Sequence, residues 1–155
     1  MVTDAVEYAE GDWFAVPLRN GGYGLGLIAR VGPGGVLLGY FFGPRRSDLP
    51  GLADVIRLGA LDAVLVRKFS HLGIANGTWP IVGHLDGWNR DLWPMPVFIR
   101  YEELTGRSFN VTYDNNDPSL LVGESQIAPG AEEQGPKDGL MGAGFAEKVL
   151  TNLLR

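Results

Sequence analysis

The chain has no cysteine, which excludes disulfides, thiolate metal sites and cysteine nucleophiles together. Histidine is almost as scarce. His71 and His84 lie 13 positions apart, and neither falls in an H-E-x-x-H or facial-triad spacing, so no metal site and no cofactor are expected. Long hydrophobic runs are missing too. The longest, "VLLGYFFG" and "AVLVRKF", fall far short of the roughly 20 residues that a membrane span requires. The opening "MVTDAVEYAE" is acidic and holds no apolar run, unlike a secretory leader. These absences lead to the expectation of a soluble, cytoplasmic protein with no membrane partner.

Positive charge is also in short supply. The net charge is −5 and its placement is uneven. Residues 1–100 balance nine acids with nine Arg or Lys, whereas residues 101–147 hold nine acids against only Arg107 and Lys137. Phosphate would be repelled by that acidic third, so direct nucleic-acid binding is not expected and a basic partner suits it better. The pair Arg45–Arg46 follows the aromatic Tyr40, Phe41 and Phe42, but Asp48 beside it favours a solvated ion pair.

Glycine, in contrast, is abundant: 23 residues among 155, with ten prolines. Short apolar runs between these breaks predict many short strands. Strands are expected at Trp13–Leu18, Gly24–Val31, Val36–Phe42, Ala63–Phe69, Pro80–His84, Val97–Glu102, Ser108–Tyr113 and Leu120–Gly123. The links "RNGG", "GPGG", "TGR" and "DNNDP" are turn chemistry. Short links of this kind make consecutive strands antiparallel. A short helix is expected over Leu52–Leu58, ended by Gly59. A second is expected over 143–155, where Phe145, Val149, Leu150 and Leu153 recur at helical spacing. Residues 126–142, rich in Gly, Pro and Glu, read as a mobile surface loop inside a single domain spanning 1–155. The predicted class is α+β: a strongly curved, mostly antiparallel β-sheet, or partial barrel, with a short helix and a C-terminal helix packed on it.

The stretch "GDWFAVPLRNGGYGLGLIARV" tests whether the glycines bind phosphate. A Walker loop needs a lysine, and none precedes Lys68. Gly24-Leu-Gly26-Leu-Ile-Ala29 fits G-x-G-x-x-A, but "GPGG" at Gly32 leaves no room for the helix which that motif must open. A hairpin accounts for more. "RNGG" supplies the positive-φ turn, and Gly24 and Gly26 leave one strand face bare for close approach of a ring or strand.

The same residues, with "LLGYFFGP", "DAVLV" and "WPIVG", resemble immunity protein family 26 of bacterial polymorphic toxin systems. That family shares a G-D-x-F-x-x-P-L stretch, a Gly-Tyr-Gly and a W-P-x-x-G. The resemblance covers Gly11 to about Gly83, weakening through "PVFIRYEE". It implies a non-enzymatic protector that binds and neutralises a cognate toxin.

Residue types alone suggest where such a partner could dock. "GHLDGWNRDLWPMP" places Trp88 and Trp93 among Asp86, Arg90 and Asp91, the aromatic and charged mixture of interface hot spots. The alternative is that both tryptophans fold inward. Glu102, Glu103, Asp114 and Asp117 surround the later hairpin and would suit a basic toxin such as a nuclease. The competing reading is a small-ligand or hydrolytic site at the open end of the sheet near His84 and Trp88. No serine lies in a G-x-S-x-G elbow, however, and Glu102 and Glu103 would point to opposite faces of a strand.

Overall fold

The computed structural model describes residues 5–129, 131 and 134–155. Strand β1 (Asp12–Pro17) returns as β2 (Tyr23–Val31). The turn between them places Gly21 and Gly22 at φ +91° and +77°, and the Leu18 N–H donates to the Gly22 carbonyl at 2.9 Å. Next come β3 (Val36–Arg46), β4 (Leu65–Ser70), the one-turn helix α1 (Leu72–Ala75) and β5 (Ile81–His84). Then follow β6 (Phe98–Glu102), β7 (Arg107–Asp114), β8 (Asp117–Gln126), β9 (Leu140–Met141) and α2 (Ala143–Leu153).

The strands form two sheets: a six-stranded one in the order β5-β1-β2-β3-β4-β9, and a three-stranded one in the order β6-β7-β8. All pairs are antiparallel except β4–β9. The larger sheet is open, with β5 and β9 at its edges. Register shifts at Trp13/Phe14, Tyr23/Leu25 and Ile28/Arg30 mark bulges, which bend and twist the strands that carry them. The α+β class and the curved-sheet architecture are as the sequence predicts.

The larger sheet lies between two cores, which is why β2 and β3 read as continuous apolar runs. On one face Phe14, Ile28, Phe41, Phe69 and Trp79 pack with Ala146 and Leu150 of α2 and with Leu154 just past its end. On the other, Trp13, Leu25, Leu27, Tyr40 and Phe42 meet Trp93, Phe98 and Val111 from the second sheet and the loop before it. The bare glycine face has a use: Gly26 pairs with Phe14, and a methyl group on it would overlap the Phe14 ring. Gly24 makes room in the same way for Leu154.

Three local expectations are corrected. No α-helix spans Leu52–Leu58; 3-10 turns occupy Leu52–Asp54 and Ala60–Asp62 instead. Asp54 and Asp62 accept the Gly51 and Gly59 N–H groups at 2.8 Å, closing tight turns. Only Val55 of this stretch is buried, so there is no apolar stripe to hold a longer helix. The short α-helix is α1. Helix α2 forms where expected but buries Ala146, Leu150 and Leu154, leaving Phe145 and Leu153 half-exposed. The hollow over Gly24 sets that rotation, and Phe145 lies against the Arg67 guanidinium, 5.7 Å from ring centroid to Cζ.

The segment 126–142 is not loop throughout. Ile99 donates to the Pro136 carbonyl and accepts from the Asp138 N–H, both at 2.8 Å. Residues 140–141 then join the large sheet as β9. The Asp138 carboxylate accepts from Tyr113 Oη at 2.8 Å and lies 3.5 Å from Lys68 Nζ. That ammonium sits 3.5 Å over the Tyr113 ring. Burial pushes the Lys68 ammonium below its ordinary value, with Asp138 opposing.

Candidate functional site

The loop between β5 and β6 carries both tryptophans singled out in the sequence, and the fold gives them different positions. Trp93 is buried, with edge-on contacts to Trp13, Tyr40 and Phe42 at centroid distances of 5.8, 5.2 and 6.0 Å. Trp88 stacks on it at 6.4 Å and is only partly covered. Tyr40 fastens the loop further by donating to the Pro94 carbonyl at 2.5 Å. Burial pushes its phenol up to about 12.

Glu10 anchors the exposed end of the loop. Its carboxylate accepts from Trp88 Nε1 at 2.9 Å and from Arg90 at 2.5 and 3.2 Å. Burial pushes the Glu10 carboxyl up, but the Arg90 and Trp88 hydrogen bonds and the nearby arginine charges outweigh it and hold it below its ordinary value. Arg90 also donates to Asn116 Oδ1 in the β7–β8 turn. Below it, Arg30 is only 1% exposed. It donates to the carbonyls of Ala29, Trp93 and Asn115 at 2.6, 3.1 and 2.7 Å, and to Asn115 Oδ1 at 3.0 Å. The tryptophan loop and the acidic hairpin are therefore tied into one surface.

A groove of about 660 Å³ opens beside Trp88. Gly11, Trp13 and Trp93 line it together with segments 57–62 and 85–89 and with Leu92. Leu61 and Leu92 stand exposed along it, as do the carboxylates of Asp62 and Asp86. Asp62 is engaged by the Gly59 N–H, and the Asp91 carboxylate lies within electrostatic reach of Arg30. His84 lies outside this lining, with Nδ1 2.9 Å from Asp12 Oδ1.

The second sheet presents the other expected residues. Glu102 is bound by Arg100 at 3.2 Å, and Arg100 also pairs with Glu124. Glu103 is exposed in the β6–β7 turn. Asp114 and Asp117 are partly turned inward as turn caps: Asp114 accepts the Asn116 N–H and Asp117 the Ser119 N–H, each at 2.9 Å. Among the described residues no group of three His, Asp or Glu could hold a metal ion, and no helix is long and apolar enough to cross a membrane.

Sequence reasoning missed Glu10, Arg30 and the 57–62 wall of the groove. Arg30 left a signal, a lone cation inside "GLGLIARV", since a buried guanidinium must find several acceptors. Glu10 and Arg57–Asp62 left none, because only the fold brings them to Trp88.

The groove is thus a mostly apolar hollow with Asp62 and Asp86 at its rim, and Arg30 and Arg90 tie the loop beside it to the β7–β8 turn. Residues 9–110 match the family model of Immunity protein 26. The chain belongs to that family. No curated protein and no solved structure matches it.

Proposed function

We propose that this chain is an immunity protein of a bacterial polymorphic toxin system, acting without catalysis in the cytoplasm by binding a cognate toxin. Family membership over residues 9–110 carries the reading. The geometry supports it, because groove and hairpin form one continuous surface held by Arg30 and Arg90. Leu61, Leu92 and Trp88 would supply apolar contact. Asp86, Asp91, Glu102, Glu103, Asp114 and Asp117 would meet a basic toxin such as a nuclease, steering its approach and competing with phosphate. Trp93 would act from beneath, holding Trp88 at the groove edge.

The groove volume also lies within the roughly 300–1,000 Å³ of small-ligand sites. Such sites converge polar groups on a ligand, whereas here Asp62 and Asp86 stand at the rim of an otherwise apolar wall.

The test is co-expression with the polypeptide encoded immediately upstream. Survival of the cell and co-purification of the two chains are expected. A harmless neighbour, or toxicity that this chain leaves unchanged, would overturn the reading.

A further inference from the structure

Sheet edges present unpaired N–H and C=O groups, and proteins usually shorten, charge or cover them. Three of the four edges described here are protected. β9 has two residues and β5 four. The free side of β6 is taken by residues 136–138, which hydrogen-bond to Ile99. The fourth edge, β8, is ten residues long and, among the described residues, pairs with β7 alone.

The middle of β8 is apolar and uncovered. Leu120, Leu121 and Val122 are 52%, 50% and 58% exposed. Val122 bulges out of register, since Tyr113 pairs with Leu121 and Thr112 with Gly123, and a second irregularity leaves Pro118–Leu120 between the Leu121 and Asp117 pairs with no partner in β7. The bulge adds twist, yet no lysine or proline guards these three residues; Pro118 lies buried at the start of the strand. Beyond the bulge, Gly123–Gln126 pair regularly with β7, and among the described residues no strand pairs with their outer side.

Charge selects the occupant. The sheet carries Glu102, Glu103, Asp114, Asp117 and Glu124 against Arg100 and Arg107, and Arg100 is already shared between Glu102 and Glu124. Two copies joined at β8 would set two such acidic sheets side by side. An extended segment that alternates apolar residues with Lys or Arg would satisfy both the open backbone and the field. We propose that β8 is a strand-addition site, taking such a segment of the neutralised toxin along Leu120–Gln126. This rests on the immunity reading and names how the partner docks. Main-chain pairing supplies affinity, and the three apolar side chains select their counterparts.

The full chain and the upstream-encoded polypeptide test it by amide hydrogen exchange, free and in complex. Within Leu120–Gln126, the amides that do not face β7 are expected to exchange quickly in the free chain and to slow on binding. The variant L120K/V122K should weaken the complex at least about tenfold, because it removes the apolar contacts and sets two ammonium groups against a basic segment, with an unchanged thermal melt. L104K, on the neighbouring turn, should bind as wild type. A complex that leaves these amides unprotected overturns the proposal while sparing the immunity reading. A dimer of the free chain with these amides protected assigns the edge to a second copy and overturns it too. Absence of any complex removes the immunity reading and this docking mode with it.

Discussion

Arg30 grips Asn115 twice, through its backbone carbonyl at 2.7 Å and its side-chain oxygen at 3.0 Å. The two residues are 85 positions apart. One belongs to the large sheet and the other to the turn that ends β7, so this fork fixes the hairpin against the body of the protein. Nη1 extends the clamp to the Trp93 carbonyl at 3.1 Å.

Replacing Arg30 by Met should therefore cost about 1–3 kcal/mol for each buried acceptor left unpaired. R30K should recover little, because an ammonium cannot reproduce the planar fork. Chemical denaturation checks both, and a wild-type midpoint for R30K would contradict the account.

Glu10 holds Trp88 and Arg90 with charge-assisted bonds, so E10A should lose about 1.5–3 kcal/mol and shift tryptophan emission as Trp88 loosens. The pH dependence follows from its lowered carboxyl. A depressed folded-state value stabilises at neutral pH, and that contribution is lost as pH falls through the carboxylate range. The acid limb of the stability profile should be shallower in E10A than in wild type.

Tyr40 gives the opposite limb. Its phenol is raised from 10.0 to about 12 by burial, so the folded state favours the protonated form. That stabilisation is complete below pH 10 and is lost as pH rises toward 12. Y40F should reduce this alkaline loss, leaving the share of Tyr113 and Tyr8, whose phenols burial also raises, at the expense of the bond to Pro94. Thermal melts across that window measure it.

Gly26 has no space for a side chain beneath the Phe14 ring. G26A should destabilise by about 1–3 kcal/mol through overpacking, and truncating the ring as F14L in the same chain should recover part of that loss. Additive losses in the double variant would show that the two sites do not touch.

Much of the scaffold is legible in the sequence because its signals are local. "RNGG" can take the positive φ that the β1–β2 turn uses, and the apolar runs of β2 and β3 announce strands covered on both faces. The face of α2 is not legible. Phe145 and Leu153 fit a helical stripe as well as Ala146 and Leu154 do, and only the hollow over Gly24 decides between them. β8 runs from Asp117 to Gln126, well past the apolar Leu120–Gly123, because pairing with β7 carries residues that alone have weak strand preference. The site was half-readable for the same reason. Composition marks Trp88, Asp86 and the acidic hairpin, whereas Glu10 and segment 57–62 reach the groove only through long-range folding.

Neutralisation by binding without turnover, as proposed above, is checked by titrating this chain into the purified upstream-encoded polypeptide while following that polypeptide's toxic activity. Inhibition should saturate at one chain per toxin and reverse when the complex is dissociated. Full inactivation by a small fraction of an equivalent, or undiminished activity at saturation, would contradict it.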